Sequence, residues 1–185
     1  MMKTKNNKRI ILCVLVCLVA AVGGWFGLKW WKRKKAASSA PADTATDAAE
    51  TAPTKAIGYR INNPLNIRYS TANNWKGQTG EQSGFCVFDS PENGLRAAMV
   101  NLKSYRKKGV ITIGDIISRW APPTENNTQN YIDFVCKKLG AAASYEVEQT
   151  ETEYIALLQA MCIMEIGCQP YEDSIWEKAA NMANL

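Results

Sequence analysis

The longest apolar run in the chain lies near its start. Ile10–Leu28 is nineteen residues without a charge, about 28 Å long as a helix, which is enough to span the hydrocarbon core of a bilayer. Tryptophans and a cationic cluster, typical of a membrane interface, lie at its far end (Trp25, Trp30, Trp31, Lys29 and Lys32–Lys35). The pattern therefore predicts a single N-terminal transmembrane helix that anchors the chain through residues 1–35.

A cleaved signal peptide is the competing interpretation of this run. We favour an uncleaved anchor because the run is longer than the usual apolar region of a signal peptide. In addition, no small-x-small cleavage site follows it directly. Both flanks are basic, so the positive-inside rule does not decide the orientation of the anchor.

The next segment, Ala36–Ile57, is rich in Ala, Thr, Ser, Pro and Asp and has no aromatic residue. Such a composition buries too little apolar surface to offset the entropy of ordering the chain. We expect a flexible linker with a root-mean-square span of roughly 25 Å, followed by a folded domain over residues 58–185.

From Gly58 onward, the apolar pattern predicts a small sheet followed by helices. Alternating apolar positions predict a strand over Gly84–Phe88, and Asn66–Ser70 is the other strand candidate. The residues between them are rich in turn formers. A small antiparallel hairpin or a three-stranded sheet is therefore expected. Capping residues and apolar spacing predict five helices, which begin at Ser90-Pro91, at Thr112, at Asn127 or Thr128, at Thr150, and near Ser174. The expected fold class is α+β, mostly helical with a small antiparallel sheet.

Composition and charge exclude several functions. The formal net charge is +5, but nine of the Lys and Arg residues precede Ala36, and residues 58–185 carry twelve basic and fourteen acidic residues. A domain with a charge near −2 gives no support for nucleic-acid binding. The absence of histidine excludes Ser-His-Asp and Cys-His catalysis and a His-ligated zinc site. We expect no metal and no cofactor.

The six cysteines include no CxxC pair, so neither a zinc knuckle nor a redox motif is indicated. Two of them fall in the apolar run. The other four are either buried thiols or members of one or two disulfides (Cys86, Cys136, Cys162 and Cys168).

The best candidate for a reactive group is the carboxylate of Glu165. The spacing of Tyr154, Leu158 and Met161 puts Glu165 on the apolar stripe, in the last turn of its helix. Desolvation and the negative end of the helix dipole both raise the pKa of a carboxyl there, as a general acid for glycosidic cleavage requires. The alternative is a carboxylate at the stripe's edge that reaches water. Glu81 and Glu92 are expected at ordinary surface positions.

The segment Gly58–Phe88 combines side-chain amides, aromatic rings and two arginines. Amides can bind sugar hydroxyls, and rings can stack on the apolar faces of sugars, so the segment is a candidate groove for a polyhydroxylated ligand. The alternative is an ordinary Asn-rich turn that leads into a hairpin.

Several segments, in order, carry a resemblance to a known family. They are RINNPLNIRYSTANNWKGQTG, GFCVFDSPENGLRAA, RWAPPTENNTQNYI and the residues Met164–Gly167 with Pro170-Tyr171. Together they resemble the phage virion-associated, lysozyme-like proteins, whose hallmark reads roughly NNPGNIRY. Two departures are Leu65, where the family usually has Gly, and Ile166, where it often has Asn.

The resemblance implies a lysozyme-like domain directed at peptidoglycan, either a muramidase or a lytic transglycosylase with Glu165 as general acid and base. The substrate-binding residues that it implies are Asn63, Asn66, Arg68, Trp75, Gln78 and Tyr171. The expected partners are peptidoglycan glycan strands, a lipid membrane and other virion proteins, with no nucleic acid. The expected location is a virion internal membrane or the bacterial inner membrane. In most lysozyme-like chains the Glu helix precedes the hairpin, whereas here it comes last; the hypothesis that reconciles this order is a circularly permuted arrangement.

Two other functions fit the same residues. One is a non-catalytic structural virion membrane protein, whose lysozyme-like domain binds glycan or packs against the capsid. The other is a bacterial membrane-anchored cell-wall factor. A lytic transglycosylase needs one acid and base, because the sugar's own hydroxyl can act as the nucleophile, whereas a hydrolase requires a second carboxylate.

Overall fold

A computed structural model describes residues 56–124 and 127–185 of the chain. The predicted anchor, and all of the predicted linker except its last two residues, lie outside these ranges. Within them, no helix combines the length and the apolar character that a membrane crossing requires.

The described residues form a mainly helical fold with one small antiparallel sheet, as the sequence predicts. The elements, in chain order, are helix α1 Ile57–Arg60, strands β1 Gln78–Gln82 and β2 Phe85–Phe88, and helices α2 Pro91–Arg106, α3 Ile113–Trp120, α4 Thr128–Leu139, α5 Glu151–Ile166 and α6 Asp173–Met182.

The sheet differs from the prediction in one of its strands. β2 lies where it was predicted, but its antiparallel partner is β1, with Glu81 opposite Cys86. The predicted strand Asn66–Ser70 is confirmed in part. Arg68 forms an isolated antiparallel bridge with Phe85, and backbone hydrogen bonds run from the Cys86 N–H to the Ile67 carbonyl and from the Tyr69 N–H to the Gly84 carbonyl. The segment does not form a full strand. The physical reason is that Asn66 takes a left-handed conformation, with φ 49°, which breaks an extended strand.

Four of the five predicted helix starts are confirmed by side-chain caps, and the fifth helix begins at Asp173 without one. Each capping oxygen accepts a hydrogen bond from the backbone N–H three residues later, which satisfies a donor that the helix itself leaves unpaired. The caps are Ser90, Thr112, Asn127 and Thr150.

Helix α5 occupies the centre of the helical layer. It contacts α1, α2, α4 and α6, while α6 packs along α2. Its Leu157, Leu158 and Met161 are fully buried, as is Trp176 of α6. Burying a large apolar side chain contributes about 1.5–3 kcal/mol, so the position of α5 is well determined. Its last turn, which ends at the left-handed Gly167, places Glu165 against three neighbouring segments.

Candidate functional site

The carboxylate of Glu165 lies where α5 meets α4 and the loop between α1 and β1. Its Oε2 accepts a hydrogen bond from Asn66 Nδ2 at 2.9 Å, and its Oε1 accepts one from the Tyr131 hydroxyl at 3.0 Å. The side chain of Trp120, at the end of α3, provides a further hydrogen bond. We call Glu165, Asn66, Tyr131 and Trp120 the Glu165 cluster.

Burial is the main influence on the ionisation of Glu165, and it raises the pKa of the carboxyl. The three hydrogen bonds of the cluster and the positive charge of Arg68 act in the opposite direction without cancelling it. Burial, followed by the charge of Glu165, raises the pKa of Tyr131 well above its ordinary value. Tyr131 therefore remains a hydrogen-bond donor to the carboxylate throughout the physiological range.

The local backbone explains why Asn66 reaches Glu165. Asn66 Nδ2 also donates to the backbone carbonyl of Glu165 at 3.3 Å, so the left-handed loop residue is tied to the end of α5. A Cβ at Gly58 would lie 2.5 Å from Asn66 Oδ1 and 3.0 Å from the Ile166 side chain. Glycine at this position therefore permits the close approach of α1 to the cluster.

Asn63 is fully buried and holds the same loop from within. Its Nδ2 donates to the carbonyls of Ile67 and Cys86, both at 2.9 Å, and its Oδ1 accepts from the Ile67 N–H at 2.8 Å. Since the amide is engaged with the backbone, Asn63 supports the framework that presents Asn66.

Of the predicted substrate-binding residues, Asn66 and Arg68 lie with Glu165. Arg68 is exposed, its guanidinium is 5.5 Å from the centroid of the Phe85 ring, and its charge acts on the Glu165 carboxyl. Trp75 and Gln78 are half-buried, and Trp75 Nε1 and Gln78 Oε1 are buried without a hydrogen-bond partner in the part of the chain that the structure describes.

Tyr171 is buried, with 9% of its surface exposed. Its ring lies between Tyr59, with centroids 6.0 Å apart and nearly parallel planes, and Trp176, with centroids 6.3 Å apart and an edge contact. Its ring is therefore a member of the core. The small exposed part of Tyr171 lines a pocket beside Tyr59.

The other two acids weighed from the sequence lie in different surroundings. Glu81 accepts a hydrogen bond from the Gly84 N–H in the turn between β1 and β2. Glu92 forms an ion pair with Lys178 at 2.8 Å, and the hydrogen bond from Lys178 lowers the pKa of Glu92. A carboxyl with a lowered pKa is a poor proton donor at neutral pH.

The four cysteines in the described ranges are thiols. Burial raises the pKa of Cys162 to about 12 and also raises the pKa values of Cys86 and Cys136. Thiols in this state are weak nucleophiles, so the candidate chemistry remains with Glu165.

Tyr131 and Trp120 are the members of the cluster that the sequence did not identify. Tyr131 belongs to α4 and Trp120 ends α3, where an aromatic residue is ordinarily expected to pack with its helix. The sequence signal that could have identified them is that a buried Tyr or Trp normally finds a hydrogen-bond partner for its polar atom. Glu165 is that partner here.

These features define a helical α+β domain with one half-buried, hydrogen-bonded carboxylate at the end of α5. No protein-family model matches the sequence. Protein P5 of Pseudoalteromonas phage PM2 is 39% identical to the chain over 121 residues, which cover 63% of the chain and 74% of that protein. The chain therefore belongs to the same family as this phage protein. The predicted relation to phage proteins is confirmed, while the lysozyme-like relation stays a prediction.

Proposed function

We propose that the chain is a structural phage virion protein whose folded domain binds the glycan strands of the bacterial cell wall. The relation to protein P5 of phage PM2 supports a role in a phage. The observation that supports glycan binding best is the meeting of amide, phenol and carboxylate groups in the Glu165 cluster, with the exposed guanidinium of Arg68 nearby. Side chains of these kinds bind sugar hydroxyls through hydrogen bonds.

Presence in the virion is tested by mass spectrometry of purified particles from cells that carry the gene. We expect the full chain to copurify with the particles in constant proportion to the major coat protein. Its absence from particles that are otherwise complete would refute the virion assignment.

Glycan binding is tested by sedimentation of the full chain, in detergent micelles, with purified peptidoglycan sacculi. Arg68→Gln should bind about tenfold more weakly than wild type, because a hydrogen bond from a charged group is lost. Lys108→Gln removes the same charge from an exposed position beyond the C-terminal end of α2 and should bind as wild type does. Failure of the wild-type chain to sediment, or an equal loss in both variants, would count against glycan binding.

A second candidate function is cleavage of the glycan by Glu165, and the raised pKa of this carboxyl favours it. In the lytic transglycosylase form, Glu165 donates its proton to the glycosidic oxygen as the C–O bond breaks. The sugar's own hydroxyl forms the new C–O bond and returns its proton to Glu165, so the product carries an anhydro ring. In the muramidase form water replaces that hydroxyl, and a second carboxylate is needed.

Two observations bear on cleavage: the first favours binding over proton donation, and the second limits the mechanism to one carboxylate. The three hydrogen bonds to Glu165 stabilise the carboxylate, which suits binding. Among the described residues, the charge that shifts the pKa of Glu165 is the cation of Arg68. A mechanism with one carboxylate is therefore the form of cleavage that the described residues support.

Cleavage is tested by release of soluble fragments from sacculi. If Glu165 is the acid, Glu165→Gln should lower the rate by about 10²–10⁴-fold, while the matched controls Glu81→Gln and Glu92→Gln keep wild-type activity. If the wild-type chain bound sacculi but released no fragments, cleavage would be refuted and only the structural, glycan-binding function would remain. If a control variant lost activity while Glu165→Gln kept it, Glu165 would not be the acid of the reaction.

A further inference from the structure

A pocket of about 440 Å³ lies beside α1 and the start of α2. It is lined by Tyr59, Arg60, Asn62, Pro91 and Tyr171. Its volume is within the range of small-molecule sites. Tyr171 was predicted from the sequence to bind substrate, and Tyr59, Arg60 and Asn62 lie in the segment Gly58–Phe88 that was predicted as a ligand groove. The pocket shares none of the residues of the Glu165 cluster.

The aromatic wall of the pocket is held in place by the core. Trp176 is fully buried, Tyr171 packs against it by an edge contact, and the Tyr59 ring stacks on Tyr171 with an interplanar angle of 29°. The half-buried Tyr59 therefore presents a positioned ring at the pocket, and little side-chain entropy remains to be lost when a ligand binds.

Two polar groups at the pocket have unused hydrogen-bonding capacity within the described ranges. Asn62 donates its Nδ2 to the Phe88 carbonyl at 3.0 Å, which fixes the amide and leaves Oδ1 as an acceptor. Arg60 is exposed, and no hydrogen bond or ion pair joins its guanidinium to another described residue. Glu92, the acid next to Pro91, is already paired with Lys178.

We propose that this pocket binds an N-acetylated amino sugar that carries a carboxylate. The guanidinium of Arg60 pairs with the carboxylate, Asn62 Oδ1 accepts a hydrogen bond from the acetamido N–H, and the Tyr59 ring covers the apolar face of the sugar. The proposal rests on the proposed glycan-binding function and adds a second contact to it, one that selects the acidic sugar of the glycan over the neutral one.

The test uses the full chain in detergent micelles and two soluble probes, N-acetylmuramic acid and N-acetylglucosamine, titrated by ligand-observed NMR. We expect the acidic probe to bind at least about tenfold more tightly than the neutral one. Arg60→Gln should remove that preference, and Tyr59→Leu should weaken both probes. Lys108 follows the opposite end of the sixteen-residue helix that begins at Pro91, which is about 24 Å long. Lys108→Gln should therefore change the affinity for neither probe. Thermal melting of each variant establishes that it is folded.

Two outcomes overturn this assignment. One is equal affinity of the wild-type chain for both probes, and the other is an undiminished preference for the acidic probe in Arg60→Gln. Sedimentation with sacculi separates this proposal from the function on which it rests. A chain that sediments with sacculi but does not bind N-acetylmuramic acid loses the pocket assignment alone, whereas a chain that does neither loses both.

Discussion

At the residue scale, the burial of Glu165 makes the stability of the protein depend on pH. Because burial raises the pKa of this carboxyl above its ordinary value, the folded state binds its proton more tightly than the unfolded state does. The stabilisation is complete below the unfolded pKa and is lost as pH rises through the folded pKa. Each unit of the rise corresponds to about 1.4 kcal/mol.

We therefore predict that Glu165→Gln gains stability relative to wild type as the pH rises from about 4 to about 7. The measurement is the difference in melting temperature between the two chains at each pH. Glu92→Gln is the control of opposite sign, because Lys178 lowers the pKa of Glu92. Its stabilisation is lost as the pH falls, and it is small because Lys178 is largely exposed. The same trend in both variants would refute this account of Glu165.

A second prediction at this scale concerns Gly58. The Cβ of Gly58→Ala would lie 2.5 Å from Asn66 Oδ1 and 2.7 Å from the Asn63 carbonyl, so the loop or α1 must shift. We expect a loss of about 1–3 kcal/mol in the free energy of unfolding, as for other overpacked sites, together with weaker binding or activity at Glu165. Gly80→Ala is the matched control, since no atom lies within 4 Å of its added Cβ. Similar stability losses in the two variants would show that the close approach at Gly58 is unimportant.

At the scale of elements, α2 holds the C-terminal end of α6. Arg96 Nε donates to the Met182 carbonyl at 3.1 Å, and Lys103 Nζ donates to the Ala183 carbonyl at 2.8 Å. These carbonyls belong to the negative end of the α6 dipole, which cations stabilise. α2 therefore fixes α6 through charged hydrogen bonds as well as through packing.

We predict that Arg96→Gln combined with Lys103→Gln lowers the free energy of unfolding by about 1–3 kcal/mol. It should also raise amide hydrogen exchange in the last turn of α6. The control is the double variant Lys107→Gln and Lys108→Gln, which removes two charges from exposed positions and should leave that exchange unchanged. An effect spread evenly over all helices would point to general destabilisation instead.

The elements also show how far the sequence predicts the fold. Helix starts were predictable because the cap and the apolar spacing are local signals, as at Thr150. The strand Gln78–Gln82 was not, because its Gly and Gln residues have little strand preference and its pairing with Phe85–Phe88 is decided by the hairpin. Asn66–Ser70 forms a bridge and not a full strand, because Asn66 is left-handed. Its amide is hydrogen-bonded to Glu165, 99 residues later in the chain, and such a contact leaves no local signal in the sequence.

The same distinction applies to the candidate site. The position of Glu165 follows from a helical period and could be predicted. Its partners could not, because Tyr131 and Trp120 reach it only through the packing of three helices. Asn63 was assigned to the ligand and is engaged with the backbone, since composition does not distinguish an amide that binds a ligand from one that closes a loop.

At the scale of the whole molecule, the charge is divided along the chain. Residues 1–35 carry nine cations and no acid around an uncharged run, and residues 58–185 are slightly acidic. Cationic flanks favour contact with anionic lipid headgroups. We therefore predict that residues 1–35, and not the slightly acidic residues 58–185, make any contact with an anionic membrane surface.

The last prediction is that the run Ile10–Leu28 alone attaches the chain to membranes. The full chain should remain in the membrane fraction after carbonate extraction. Leu18→Lys combined with Val19→Lys places two charges at the centre of the run, where each costs about 2.5–3.5 kcal/mol, and should release a large part of the chain. Ala48→Lys combined with Ala49→Lys adds the same charges within the predicted linker and should leave the chain attached. Release of the wild-type chain would exclude a membrane anchor, and equal retention of both double variants would mean that another part of the protein makes the attachment.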